Sequence, residues 1–248
     1  MFTNPFTLTN KKILITGASS GIGRAMAIAC SGMGATVYMT GRNEEGLDDT
    51  VNLMDSDLHE KIIADLNSIH ELESLVNSLP ALDGIISNAG INRRMIAQYV
   101  KEQNLDLIIN TNLKAPILLI KSLLKAKKIN MGASVVFISS IAAYHSSIGD
   151  GVYSATKGGL SSYSKVLALE LASKKIRVNT IQPGMVRTAL TDKGPLSDDD
   201  YSKDEQKYPL GRYGNPEEIA NSAVFLLSDA SQWITGTDLV IDGGISLI

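Results

Sequence analysis

Tyr153 is followed four residues later by Lys157 and preceded thirteen residues earlier by Ser140. About four residues make one turn of α-helix, so a helix starting near Gly151 puts the phenol and the ammonium on one face. A free phenol titrates near 10 and is a poor proton carrier at neutral pH, whereas a neighbouring ammonium favours the phenolate. The spacing therefore predicts that Lys157 lowers the Tyr153 pKa and makes it an acid or base for an oxygen on which charge develops. Ser140, at the end of a predicted strand, is placed to donate a hydrogen bond to that same oxygen. A Tyr-x-x-x-Lys pair is common on its own and gains meaning only from the elements that hold it.

Those elements are legible. The run from Lys12 to Arg24 reads as a buried strand, a glycine-rich turn and the start of a helix, with Gly17, Gly21 and Gly23 spaced G-x-x-x-G-x-G. Such glycines allow a tight turn and close approach to a pyrophosphate, and the helix N-terminus offers free N–H groups to the anion. Further strands are predicted at 36–39, 61–64, 84–87, 134–139, 178–182 and 238–241. Helical patterns lie between them at 24–33, 69–78, 103–127, 151–173 and 216–227. This alternation predicts a single-domain α/β fold, a Rossmann-type doubly wound parallel sheet of about seven strands with helices on both faces. Ligands of such sheets lie beyond the C-terminal strand ends, where the Ser, Tyr, Lys and glycine motifs all fall.

Thr16-Gly-Ala-Ser-Ser-Gly-Ile-Gly23, Asn88-Ala-Gly90, Asn112, Ser140, Tyr153-Ser-Ala-Thr-Lys157 and Pro183-Gly184 stand in the order and approximate spacing of the short-chain dehydrogenase/reductase family. The sequence resembles that family along nearly its whole length, down to Asp242-Gly-Gly244, and looks most like 3-oxoacyl-[acyl-carrier-protein] reductases. The resemblance implies hydride transfer between a nicotinamide cofactor and a carbonyl or alcohol. It implies that Lys157 also binds the nicotinamide ribose, and that Asn112 holds a water linking Lys157 to solvent. It further implies that Asp65 and Leu66 meet the adenine, that Asn88, Ala89 and Gly90 let backbone pass close to the ribose, and that Ile22 packs at the turn. Pro183, Gly184, Val186 and Thr188 should border the nicotinamide. Ser87 stands where the family usually has a second Asn.

After the second strand the family's acidic position, which would bind the ribose hydroxyls of NAD, is Gly41, and Arg42 follows. A 2′-phosphate requires a cation there and is repelled by a carboxylate, so NADP(H) is expected over NAD, with Ser19, Ser20 and Asn43 adding hydrogen bonds. Glu44 or Glu45 pairing with Arg42 would weaken that expectation.

The 248 residues, 44% hydrophobic with a net charge of −3, can bury a large core and carry no long basic run, which argues against nucleic acid. The lone Cys30 is expected as a buried small side chain. His59, His70 and His145 are scattered without metal-ligand spacing and read as surface or loop residues. The N-terminus lacks a signal-peptide pattern and no stretch reads as a membrane span, so a cytoplasmic enzyme is expected. The Arg187 to Leu210 region reads as a lid over the substrate, and Ile91 to Lys101 as part of the pocket wall. Arg93 and Arg94 offer attraction to an anionic substrate or a solvated pair. Lys121, Lys125, Lys127 and Lys128, with Lys174, Lys175 and Arg177, end two helices and offer a landing surface for an acidic acyl carrier protein. Sugar, polyol, nucleotide-sugar and steroid ketoreductases remain alternatives, as does a non-catalytic NADPH-binding module. A homotetramer is expected from the resemblance, packed through the second apolar faces of the two long helices.

Overall fold

Seven parallel strands are laid down in the order β3-β2-β1-β4-β5-β6-β7. The computed structural model describes residues 4–55, 58–188 and 198–248. The strands are β1 (Lys12–Thr16), β2 (Thr36–Gly41), β3 (Glu60–Ile63), β4 (Leu82–Ser87), β5 (Ile129–Ile138), β6 (Arg177–Pro183) and β7 (Asp238–Ile241). The central strands β1, β2, β4 and β6 are buried along most of their length, the condition under which parallel sheets form, while the edge strands β3 and β7 are partly exposed. The order reverses between β1 and β4, and a crevice opens above that point.

On one face α1 (Gly21–Gly32) and α7 (Pro216–Leu227) pack Met26, Ala27 and Cys30 with Ile219 and Ala223 over Ile13, Ile15 and Val37. On the other, α3 (Ile69–Ser78), α4 (Glu102–Lys125) and α5 (Gly151–Leu171) bury Leu72, Leu75, Leu119, Leu123, Leu160 and Leu167 against Leu14, Ile85 and Phe137. The remaining helices are α2 (Glu44–Val51) and α6 (Asp198–Glu205). Cys30 is fully buried, and burial pushes its thiol up to about 12.

Several expectations are corrected. The sequence pattern misses α2 and α6, because α2 offers the core little beyond Leu47 and α6 is strongly polar. Strand β5 starts at Ile129 rather than at 134, passing Gly132 at φ +79° beside a register shift between Leu82 and Gly84. Helix α4 is long and apolar enough, by length and composition, to cross a membrane; it instead lays Leu119, Ile120 and Leu123 into the core. Residues 189–197 of the expected lid lie outside the described residues.

His59 is a connector rather than a surface histidine. Its Nδ1 accepts from the Val37 N–H at 3.1 Å, which places the ring proton on Nε2, 2.8 Å from Ser31 Oγ. Burial holds its pKa below the usual value, with Asp55 opposing. A depressed histidine pKa means the unfolded chain binds the proton first, so this contribution is present above about pH 6.5 and is lost on acidification below it. Thermal melts across that range should fall more steeply for the wild type than for His59→Gln. Parallel curves would exclude the connector role.

Candidate active site

Strand β1 ends in a turn that a larger side chain could not follow. Gly17 sits at φ +67° and an added Cβ would lie 2.9 Å from Ala89 Cα, while a Cβ on Gly23 would lie 2.0 Å from the Gly17 carbonyl oxygen. The turn is locked to β4 by Asn88, whose Nδ2 donates to the carbonyls of Thr16 and Gly17 at 3.0 and 3.2 Å. Thr16 Oγ1 accepts from the Asn88 and Ala89 N–H groups, both at 3.0 Å. Helix α1 then begins at Gly21, with no cap from the side chain of Ser20 and no acidic residue in its first turn. Uncapped N–H groups at a positive helix end are an anion receptor.

The crevice above this turn encloses about 560 Å³. Every residue named from the sequence for cofactor contact lines it, from Gly17 through Arg42, Asp65 and Gly90 to Thr188, together with Ser140, Tyr153 and Lys157. The hydroxyl of Thr40, on the same wall, is buried without a partner among the described residues. A close-approach glycine turn, an uncapped helix end and an unpaired wall hydroxyl suit a phosphate-bearing dinucleotide. Arg42 is 63% exposed and 3.9 Å from Asp65, while Glu44 pairs with Lys61. Asn43 is partly committed, since its Oδ1 caps α2 by accepting from the Gly46 N–H at 3.2 Å.

At the far end of the cleft Ser140 and Tyr153 share one wall, and Ser140 Oγ accepts from the Ala142 N–H at 3.1 Å. Lys157 Nζ lies 5.6 Å from the centre of the Tyr153 ring. The expected lowering of the phenol by Lys157 is not what the geometry produces. Burial raises the Tyr153 pKa, the nearby Ser140 hydroxyl lowers it, and Asp150 raises it. Lys157 donates instead to the Ile138 carbonyl at 2.7 Å, and its own pKa is pulled down to about 8 by burial. Tyr153 is thus held protonated at neutral pH.

The family model described as Enoyl-(Acyl carrier protein) reductase matches residues 17–246. The chain belongs to the short-chain dehydrogenase/reductase family. It is an NAD(P)-dependent oxidoreductase acting on CH–OH or C=O groups. A Rickettsia felis protein named 3-oxoacyl-[acyl-carrier-protein] reductase FabG is 36% identical, the match covering 97% of this chain and 99% of the relative. A Xenopus laevis protein named Carbonyl reductase family member 4 is 34% identical over 96% and 99% of the two chains. Among solved structures, one from Agrobacterium tumefaciens, provisionally assigned as a 2-deoxy-D-gluconate 3-dehydrogenase and holding NADP, superposes with a TM-score of 0.88 at 31% identity, covering 99% of this chain and 100% of that one.

For an oxidoreductase of this family the supporting residues matter as much as those in the cleft. Asn112 does not line the cleft. It sits buried in a π-helical turn, Asn110–Lys114, where the Ala115 N–H reaches back to the Asn110 carbonyl. That turn explains an Asn within a long apolar helix. Its amide is matched to Ile91, accepting from the N–H and donating to the carbonyl, both at 2.8 Å, so it fixes the strand-end segment against Lys157. Sequence reasoning missed Ser139, whose hydroxyl donates to the Lys157 carbonyl at 2.9 Å, and Ser161, which bonds Ser139 and Gln182 at 3.0 Å each. The signal was there in polar residues placed inside otherwise apolar runs.

The expected cationic surface is also corrected. Arg177 is buried at the start of β6 and donates to the Ser228 carbonyl at 3.2 Å, and Lys128 is tied to the Leu79 carbonyl. Arg93 and Arg94 stay exposed while bonding Asn104 and Asp150 respectively.

Proposed function

We propose that the protein is an NADPH-dependent carbonyl reductase in which Ser140, Tyr153 and Lys157 act on one substrate oxygen. The observation that carries this is the convergence of Ser140, Tyr153 and the buried Lys157 at one end of the cleft that the glycine turn opens. The uncapped start of α1 with Ser19 and Ser20 would hold the pyrophosphate, and Arg42 would hold a 2′-phosphate. When bound, the nicotinamide supplies the hydride. As negative charge grows on the carbonyl oxygen, Tyr153 gives its proton to that oxygen and Ser140 donates a hydrogen bond to it. Lys157 then stabilises the phenolate left behind. Asn112 acts through Ile91 and Thr156 to hold Lys157 in place, and the water relay implied by resemblance belongs to this same corner. The intact trio argues against a purely binding role, since a module that only holds NADPH needs no buried lysine beside a phenol.

For substrate we favour a 3-oxoacyl thioester, supported by the names of the curated relatives. The sugar-acid name of the superposed structure supports a second reading. Arg94 weighs against a free anion receptor there, because it already faces a buried carboxylate. Of the cations expected to meet a carrier, Lys121, Lys125, Lys127, Lys174 and Lys175 stay exposed. Lys174 lies one length of α5 beyond Tyr153, about 30 Å at 1.5 Å per residue, so it could help only to dock the carrier and not to touch the acyl group. Assays should show acetoacetyl thioester reduced faster on carrier protein than on a small thiol, with the advantage lost at high salt or in Lys174→Glu. Turnover confined to keto-sugar acids, or to the C=C bond of a crotonyl thioester, would overturn this choice of substrate.

We further propose a homotetramer in the cytoplasm, the compartment that suits a lone reduced thiol. Val166 and Leu169 of α5 are 54% and 80% exposed, an apolar strip on the face away from the core. Sedimentation should give a tetramer that Val166→Glu with Leu169→Glu dissociates, and a monomeric wild type would refute the packing.

A further inference from the structure

Asp150 immediately precedes α5 and stands three residues before Tyr153. An aspartate at that position ordinarily accepts from the first-turn N–H groups of its helix. Its carboxylate makes no such bond. It turns the other way, is only 8% exposed, and accepts from Asn92 Nδ2 at 3.0 Å and from Arg94 Nε and Nη2, each at 3.3 Å. Adjacent backbone repeats the connection, with the Met95 N–H donating to the Gly149 carbonyl at 2.8 Å. Arg93 Nη1 donates to Asn104 Oδ1 at 2.9 Å and ties the same segment to α4. Asn92 lines the cleft, so one short segment touches both the substrate space and the start of the helix that carries the phenol.

We propose that Asp150 is a positioning residue for Tyr153, through which Arg94 and the 91–95 segment govern proton transfer by the phenol. The inference rests on the reading of Tyr153 as the proton donor. A buried carboxylate stays charged only when it is paired and hydrogen-bonded, and Asn92 and Arg94 supply both. Asp150 opposes ionisation of the phenol, and Arg94 offsets that field. The other groups around the phenol are Lys157 on its own helix and Ser140 after β5. On the outer side Arg94 also acts on Asp204 of α6, which is held by Lys207 at 2.9 Å and by the Tyr213 hydroxyl at 2.5 Å. Charges of alternating sign therefore run from α6 through Arg94 and Asp150 to the phenol.

The test reads the pH dependence of kcat in the alcohol-oxidation direction, where the deprotonated phenol accepts the proton and the rate rises with pH. Asp150→Asn keeps the shape and removes the charge, so the rising limb should move to lower pH, by about half a unit to one unit for a partly screened charge. Arg94→Gln removes the offset and should move the limb to higher pH. The double variant should return toward the wild type. NADPH affinity, read by fluorescence, should be unchanged in all three, since neither side chain lines the cleft. Single variants that lose rate without moving the limb, or that move it in the same direction, would reduce Asp150 to a structural role. Tyr153→Phe is run alongside, and if it keeps both the activity and the limb, the reading of Tyr153 fails instead.

Discussion

Tyr153→Phe should lower kcat by about a thousandfold or more while NADPH still binds. It removes a proton donor, typically worth about 10² to 10⁴, together with one hydrogen bond to the developing oxyanion. It deletes nothing that the glycine turn or the start of α1 uses. Lys157→Met should also abolish turnover, and it carries a second signature that Tyr153→Phe lacks. The Lys157 ammonium is buried and its pKa falls from 10.5 to about 8. Below about 8 the group is charged in both folded and unfolded chains, and the cost of burying the charge is fully present. That cost is relieved as pH rises from 8 toward 10.5, where the unfolded chain alone stays protonated.

The ceiling on this cost is about 3 kcal/mol at ~1.4 kcal/mol per unit, and losing the bond to the Ile138 carbonyl returns about 1 kcal/mol of it. The inactive Lys157→Met protein should therefore melt several degrees higher than the wild type near neutral pH, at roughly 2 to 4 °C per kcal/mol for a chain of this size. The gap should narrow above pH 8. Stability held low at a reacting group is the usual mark of a functional site. An active Tyr153→Phe enzyme would sink the mechanism, whereas a Lys157→Met protein that melts lower would show only that the Ile138 bond outweighs the buried charge.

The parallel α/β sheet and its crevice were legible because both depend on short-range pattern. Apolar runs bounded by glycine or polar turns marked the strands, and α3 and α7 fall on their expected residues, 69–78 and 216–227. Residues named for the cofactor wall fall along one cleft because they sit at strand ends, and strand ends in a parallel sheet share one rim. The direction of a long side chain was not legible. Whether the Lys157 ammonium meets the phenol or the Ile138 carbonyl is decided by tertiary packing, and helical spacing fixes only the face. The same limit applies to Arg177, read as the end of a surface cluster and found inside. Helix α2 escaped because capping by Asn43 and burial of Leu47 secure it without a continuous apolar stripe.

Cofactor choice should reverse when two neighbouring residues are exchanged. The wild type should prefer NADPH, and Gly41→Asp combined with Arg42→Ala should prefer NADH. Space permits the first change, since a Cβ on Gly41 would stand 3.7 Å from Ser19 Oγ, an ordinary contact. The new carboxylate would then meet ribose hydroxyls favourably and a 2′-phosphate unfavourably. The second change removes a guanidinium that is 63% exposed and, among the described residues, restrained only by Asp65 at 3.9 Å, so it can turn toward a phosphate at little conformational cost. One charge-assisted hydrogen bond is worth about 1.5 to 3 kcal/mol, which is roughly ten- to a hundredfold in the ratio of kcat/KM for the two cofactors. Because Arg42 is exposed, the wild-type preference should shrink as salt rises, while the preference of the double variant, which depends on neutral ribose contacts, should change less. Equal use of both cofactors by the wild type at low salt would remove Arg42 from the site and leave the anion contacts to the start of α1 alone.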